Sequence, residues 1–352
     1  MRPSLKARGT LMDVAKAVGV SHTTVSNAFN RPDQLSPELR EKIIAAARAM
    51  KYSGPNPAAR MLRTGFAKTI GMVWSDTLYR AFEDPAASAF LGGVAQACAE
   101  RGLGLLLVQG QETSSSIIQT AAVDGFILYS VPKDDETLKA ALGRGLPMVA
   151  IDQIVRPKIP VIGIDDRTAA RACAQHLKDL GHQRFAIVTF GLNIDGFTGF
   201  VDERRLTKCR FTHVRDRIAG YLDVIRGEGL PVKIWECLSS TEEDGRIAAE
   251  HLFEDGLRPT AILAASDRLA IGVIEAARRH RIRVPHDLSV VGFDDIPAAK
   301  LVTPHLTTVH QPFAEKGRMA VSALLDEKAP LRRELPATLE IRRSTASPPS
   351  NK

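Results

Sequence analysis

The sequence predicts two folds in one chain. An all-α helix-turn-helix head comes first, then an α/β domain of parallel sheets with helices on both faces. Three observations carry this. In Thr10–Asn30, apolar residues recur at helical spacing, break at Gly19, and recur again. From Lys68 onward, short apolar runs alternate with amphipathic stretches, strand then helix. Charge is also segregated: residues 1–65 hold eleven Lys/Arg against four acids, and the rest of the 352-residue chain carries 36 of each.

Residues 1–9, MRPSLKARG, read as a basic arm. Leu11, Val14, Ala15 and Val18 give the first helix its apolar face, with Thr10 as N-cap and Asp13 near the positive end. Gly19-Val20-Ser21 is the turn, and Ser21 caps the second helix. If Val25, Ala28 and Phe29 face inward, His22, Thr23, Ser26, Asn27 and Asn30 share the outer face. That face offers short donors and acceptors with no acid or bulky apolar group, as a helix in the DNA major groove requires. An ordinary solvated face is the alternative, and the basic excess of the head weighs against it by implying a polyanion partner.

After a polar loop, Ser36-Pro37-Glu38 opens a third helix with a cap, a first-position proline and a first-turn acid. Ile43, Ile44, Ala47 and Met50 form its apolar side. Ser53-Gly54-Pro55-Asn56-Pro57 then breaks the chain. The helical stretch from Pro57 to Arg63 is too short to stand alone in water, so it orders with DNA or a twin copy. Arg60 and Arg63 would meet phosphates, and Leu62 could wedge between base pairs in the minor groove; a plain linker is the alternative.

In the larger part, strands are expected at 70–74, 103–109, 126–130, 148–152 and 161–165, with helices at 86–101 and 135–144. The second half repeats the rhythm. Helices fall at 168–180, 216–228, 243–255, 268–281 and 312–326, and strands at 185–190, 233–237, 261–265, 288–293 and 337–342. The Pro-rich tail from Ser344 reads as disordered.

Composition narrows the function. Apolar residues make up 44 %, enough for a normal core, and aromatics only 5 %. No apolar run reaches transmembrane length and no signal peptide is evident, so a cytoplasmic protein without membrane contact is expected. Four scattered cysteines form no CxxC pair and suggest reduced thiols. GxGxxG, GxxxxGK[ST], HExxH and GxSxG are missing, and the nine histidines show no metal-ligand pairing. Cys173 and His176, one helical turn apart, read as an accident of an amphipathic helix. No enzyme, cofactor or metal is expected. The alternative is a sugar-binding protein or sugar-processing enzyme whose basic head is incidental.

TLMDVAKAVGVSHTTVSNAFN, LSPELREKIIAAARAMKY and NPAARMLRTG closely resemble the head and hinge of the lactose/galactose-repressor (LacI/GalR) family of bacterial transcription regulators. GLPMVAIDQ, the stretch IGIDDRTAARACAQHLKDLGHQRFAIV, and RPTAILAASDRLAIGVIEAARRHRIRVPHDLSVVGFDDIPAAKLVTPHLTTVHQP are similar to its effector domain. The resemblance covers roughly 10–327. It implies a homodimeric regulator, most often a repressor, that binds a pseudo-palindromic DNA operator under the control of a small sugar-like effector. It also implies a two-lobed effector domain like that of periplasmic sugar-binding proteins. By position, His22, Thr23 and Asn27 would read bases. Thr10, Ser21, Thr24, Asn30 and Ser36 would hold phosphates, and Asn56, Arg60, Leu62 and Arg63 would form the hinge contacts. The implied units are a head over 1–54, a hinge over 55–67, an effector domain over 68–343 and a tail over 344–352. One lobe would take 68–165 and 311–327, the other 166–310 and 328–343.

Ligands of open α/β sheets bind at strand carboxyl ends. Asp152, Asp165, Asp267 and Asp294 stand at such ends, and Arg217 opens a helix. Carboxylates and a guanidinium fork suit a polyhydroxylated ligand. The resemblance ranks Arg217, Asp294, Asp165 and Asp152 first as effector contacts, then Ser266 and Gln311. A helix cap or hinge bond is the alternative for each aspartate. Four departures stand out. Asn27 replaces a frequent arginine. Ala86 and Ala87 replace aromatics that stack on the effector. Ser240 stands where another aromatic is often carried, and segment 191–215 is unusually long. The two alanines predict a roomier pocket that takes a bulkier or more polar ligand, a sugar acid or phosphate drawn by Arg217. No C-terminal leucine heptad is present, so no tetramerising coiled coil is expected.

Overall fold

A computed structural model describes residues 9–54, 61, 64–74, 77–110 and 115–349. The chain divides into two units, Met1–Ala67 and Lys68–Lys352.

The first unit holds α1 (Leu11–Val18), α2 (His22–Asn30) and α3 (Pro37–Ala49), with a 3₁₀ turn at Pro32–Gln34. Side-chain caps set each start. Thr10 and Asp13 form a reciprocal capping box, the Ser21 hydroxyl accepts from the Thr24 amide at 3.0 Å, and that of Ser36 accepts from Leu39 at 3.3 Å. Such caps contribute about 1 kcal/mol each. Val14, Ala15, Val25, Ala28, Ile43 and Ala47 make the buried core, and Phe29 meets Tyr52 edge-on.

The second unit is built on two sheets. The first has β1 (Thr69–Trp74), β2 (Gly104–Gln109), β3 (Gly125–Tyr129), β4 (Met148–Ile151), β5 (Val161–Gly163) and β12 (Arg332–Glu334). Its order is β12-β5-β4-β3-β1-β2, all parallel. The second has β6 (Phe185–Thr189), β7 (Gly199–Phe200), β8 (Val232–Glu236), β9 (Ala261–Ala264) and β10 (Ser289–Val291), in the order β10-β9-β6-β8-β7. Only β7 runs antiparallel there. A small antiparallel pair, β11 (Thr308–His310) with β13 (Thr338–Glu340), lies beside the end of β10, where the Gly292 and Asp294 amides donate to the Thr307 and Val309 carbonyls. The central strands, such as Phe185–Thr189 and Ala261–Ala264, are fully buried runs, as parallel sheets covered on both faces demand.

Helices cover those faces in close pairs. Pro85–Glu100 meets Phe313–Leu325 at Gly93, where an added Cβ would lie 2.0 Å from the Ala314 carbonyl oxygen. Asp166–Asp179 meets Thr212–Gly227 at Gly220, 2.2 Å from the Arg167 carbonyl oxygen by the same measure. Only glycine permits those approaches. Among the described residues, no helix is long and apolar enough to cross a membrane.

Two expectations are corrected. Residues 332–334 pair with β5, so this part of 328–343 belongs to the first sheet and not to the second lobe. The segment from Ser344 is ordered to residue 349. Ser344 is fully buried; its hydroxyl donates to the Val290 carbonyl at 2.6 Å and accepts from the Thr307 amide at 2.8 Å. The Val290 amide donates to the Ser344 carbonyl, and the Ala346 amide to the Ser289 hydroxyl. Main-chain and hydroxyl bonds hold this segment, and a polar composition does not reveal them.

Candidate functional site

In the head, α2 presents its polar face as the sequence predicts. Val25 and Ala28 are buried, while His22, Thr23 and Asn30 are exposed and Ser26 and Asn27 half-buried. The face is pre-ordered by local bonds. His22 Nδ1 lies 3.1 Å from the Thr23 hydroxyl, Ser21 and Thr24 hydroxyls are 2.8 Å apart, Asn27 donates to Gln34, and Asn30 donates to Ser26. Thr10, Ser21 and Ser36 are helix N-caps, so each stands beside unpaired first-turn amides, the usual seat of a phosphate. Asn56, Arg60, Leu62 and Arg63 lie outside the described residues.

In the larger unit a cavity of about 390 Å³ opens between the carboxyl ends of the two sheets. Arg217, Asp294, Asp152, Ser266 and Ala86 line it, as do Ser240, Tyr129, Phe190, Phe211, His213 and Phe313. Three of its wall residues sit at positive φ just past strand ends: Ser130 at +51°, Asp152 at +56° and Asp294 at +120°. Backbone held in such conformations collects at ligand sites.

One continuous polar chain runs along the cavity. Arg217, buried in its helix, donates from Nε to Asp166 at 2.8 Å and from Nη1 to the Ala265 carbonyl at 2.7 Å. Nη1 also lies 3.5 Å from Asp294, and the guanidinium stands 3.9 Å over the Phe293 ring. Burial opposes its charge, yet the two carboxylates raise its pKa above the ordinary guanidinium value. Burial pushes Asp166 up to about 6 against the pull of Arg217, and lifts Asp294 well above the usual carboxylate range. Gln311 donates to Asp294 at 2.7 Å and accepts from Lys316 at 3.1 Å. The fully buried Lys316 ammonium grips both oxygens of Asp152, at 2.8 and 2.9 Å. Both cations of this chain are met by carboxylates, three acids facing two cations.

Ser266 caps the helix Asp267–Arg279 and shares a 2.7 Å hydroxyl contact with Ser240. His213 is held neutral, its pKa pushed by burial down to about 3, and its Nδ1 has no hydrogen-bond partner. An orphaned ring nitrogen on a cavity wall is an available contact for a ligand hydroxyl.

Three predicted residues fall elsewhere. Asp165 is exposed and caps the helix Asp166–Asp179, accepting from the Thr168 amide at 3.0 Å and its hydroxyl at 2.7 Å, so it stands off the cavity. Its neighbour Asp166 turns inward instead. Gln311 buttresses Asp294 from behind. Ala87 is packed in the core, and only Ala86 reaches the wall. Asp267 is wholly buried, bonded to Thr308 and the Ile296 amide. The aromatic surface that Ala86 and Ala87 do not supply comes from Tyr129, stacked on Trp74 at 4.0 Å, with Phe190, Phe211 and Phe313.

Segment 191–215 walls the same cavity with Gly191, Asn193, Ile194, Gly196, Phe211 and His213. Its anchor is the fully buried Glu236, which accepts from the Leu192 amide at 2.7 Å and pairs with Arg205. Arg205 also pairs with Asp195 and covers the Phe197 ring at 3.9 Å. Lys316, Asp166, His213 and Tyr129 escaped the sequence reading. Cys173 is buried and His176 bonds to Thr345; among the described residues no group of metal-ligating side chains forms.

A helix-turn-helix head joined to a cleft-bearing two-lobed receptor defines the class: a ligand-responsive, DNA-binding regulator. Residues 10–56 match bacterial regulatory proteins of the lacI family, and residues 174–345 match the periplasmic binding protein-like domain. The chain is 40 % identical to the HTH-type transcriptional regulator Rv3575c of Mycobacterium tuberculosis, over 99 % of this chain and 100 % of that one. It is 30 % identical to the ribose operon repressor of Escherichia coli, over 90 % and 92 %. The lac repressor dimer bound to operator and the anti-inducer ONPF superimposes with a TM-score of 0.78 at 25 % identity, over 97 % of this chain and 100 % of that one. The chain belongs to the lacI family of bacterial transcriptional regulators.

Proposed function

We propose that the chain represses transcription as a homodimer on a pseudo-palindromic operator, and that an uncharged polyhydroxylated effector in the cavity sets its DNA affinity. In this reading His22, Thr23 and Asn27 read base edges. Thr10, Ser21, Thr24, Asn30 and Ser36 hold phosphates, and Asn56, Arg60, Leu62 and Arg63 engage the minor groove. Arg217, Asp294, Asp152, Ser266 and Ala86 contact the effector, with Gln311 positioning Asp294. The protein works in the cytoplasm, where the chromosome lies, and not as an enzyme.

One observation carries the effector class. Arg217 is already met by Asp166 and Asp294, and Lys316 by Asp152, so neither cation is left for a ligand anion. Besides Arg80, the wall offers acceptor oxygens, paired hydroxyls and aromatic faces, which suit a ring bearing several hydroxyls. This favours a neutral sugar or polyol over a sugar acid or phosphate.

The test is a thermal-shift screen of the full chain against neutral sugars, polyols, sugar acids and sugar phosphates. Each hit is then added to a titration of operator duplex selected from a randomised pool. Ligand stabilisation grows as RT ln(1 + [L]/Kd), so moderate binders register. A neutral polyol should shift both the melting point and operator affinity, by about 5–150-fold for coupling of typical size. Hits confined to acids and phosphates would overturn the effector class. Failure to enrich any duplex, or DNA binding with little salt dependence, would overturn the regulator itself.

A further inference from the structure

Beyond Asp152 lies a second cavity, about 450 Å³, on the far side of the polar chain. The loop between β4 and β5, the strand β12 and the first turn of the helix Thr212–Gly227 enclose it, so it spans both lobes. Four arginines line it: Arg156, Arg215, Arg332 and Arg333. Four acids line it too, but each already has a cation. Lys316 holds Asp152 at 2.8 Å, Arg217 holds Asp166 at 2.8 Å, Arg215 holds Asp216 at 2.8 Å, and Arg332 holds Glu334 at 2.6 Å. Lys316 and Arg217 are buried and do not line this cavity. Its wall therefore keeps two guanidiniums, Arg156 and Arg333, with no acid partner among the described residues. The surface between is apolar, from Pro157, Ile159, Val161 and Ile164.

We propose that this groove is a second ligand site, separate from the effector cavity, for a small organic phosphate. The guanidiniums fork onto phosphate oxygens and the apolar floor takes the carbon skeleton. The two sites touch through shared side chains and not through a common volume. Asp152 lines both, and Asp166 holds the Arg217 of the first. The proposal stands independently of the operator reading, because it needs only the larger unit's charge balance.

The test is calorimetric titration of the full chain with inorganic pyrophosphate at physiological salt, where loose surface attraction is screened. Saturable binding at one site per chain is expected. Arg156→Gln with Arg333→Gln should weaken it by about tenfold or more, and each single change by less. A charge-matched control, Arg278→Gln with Arg283→Gln, removes two remote arginines paired with Glu275 and Asp287, and should leave the affinity within about twofold. Thermal melts check that each variant is folded. Absence of saturable heat from the wild type overturns the proposal. So does unchanged affinity in the Arg156/Arg333 variants, which would put the anion in another place. Equal weakening by both pairs also overturns it, since net charge alone would then hold the pyrophosphate.

Discussion

Lys316→Met tests the polar chain behind the cavity. The lysine side chain has no exposure, and its ammonium bonds both Asp152 oxygens and Gln311. Methionine keeps the apolar stem and removes the ammonium with its three hydrogen bonds. The Asp152 carboxylate, 9 % exposed, is then left without its cation. Breaking a buried pair costs about 3–5 kcal/mol. Asp152 borders a cavity that water reaches, so the lower figure of ~3 kcal/mol applies. At about 2–4 °C per kcal/mol for a unit of this size, the melting point should fall by about 6–12 °C. Adding Asp152→Asn removes the stranded charge and should restore more than half of the loss. Circular dichroism melts of wild type, both single variants and the double variant complete the cycle. A fall below about 2 °C in Lys316→Met, or no recovery in the double variant, would refute the assignment of this pair as a structural tie.

Further outcomes follow from other parts of the molecule. His22→Ala with Asn27→Ala should lower the preference for selected over random duplex by about 1–3 kcal/mol for each base edge no longer read; an unchanged preference at fixed salt removes the base-reading role. Gly220→Ala forces a Cβ to 2.2 Å from the Arg167 carbonyl oxygen and should destabilise the larger unit by about 1–3 kcal/mol in urea titrations. A wild-type midpoint there would mean the two helices part without cost. His213 gives a pH signature. Its folded pKa is pushed down to about 3 while an unfolded histidine titrates near 6.5. The folded state thus binds fewer protons between those values, and this contribution to stability rises with pH until about 6.5. The stability of wild type relative to His213→Asn should climb by roughly 1 kcal/mol per pH unit from pH 4 to 6. A flat difference would show that the imidazole is not buried neutral.

The head was legible because its signals are local. Thr10 with Asp13, Ser21, and Ser36 before Pro37 each announce a helix start within four residues. The larger strands were legible because sheets covered on both faces require continuous apolar runs. The chemistry of the cavity was legible only in part. Asp294 and Asp152 stand just past strand ends, where ligands gather, while Arg217, expected to open its helix, lies in the second turn because the helix starts at Thr212; Asp165 and Asp166 are adjacent carboxylates and only packing decides which turns inward. Lys316 sits in an amphipathic helix, where a lysine ordinarily reads as surface; the partner that buries it is 164 residues away. β12 is Arg-Arg-Glu, fully exposed, and carries no hydrophobic period to announce a strand. Segment 191–215 read only as unusually long, since the buried Glu236 that organises it lies outside the segment.

The strand β12 and the Ser344 segment have a consequence for solubility. Without them, β5 would present a row of unpaired amides and carbonyls at the rim of its sheet, and the Val290 amide and carbonyl of β10 would lose their partners. The strand Arg332–Glu334 therefore acts as a seal against strand addition by neighbouring molecules. A chain cut before Arg332 should be recovered as aggregates that template on the open β5 rim, and not as a stable, slightly loosened receptor.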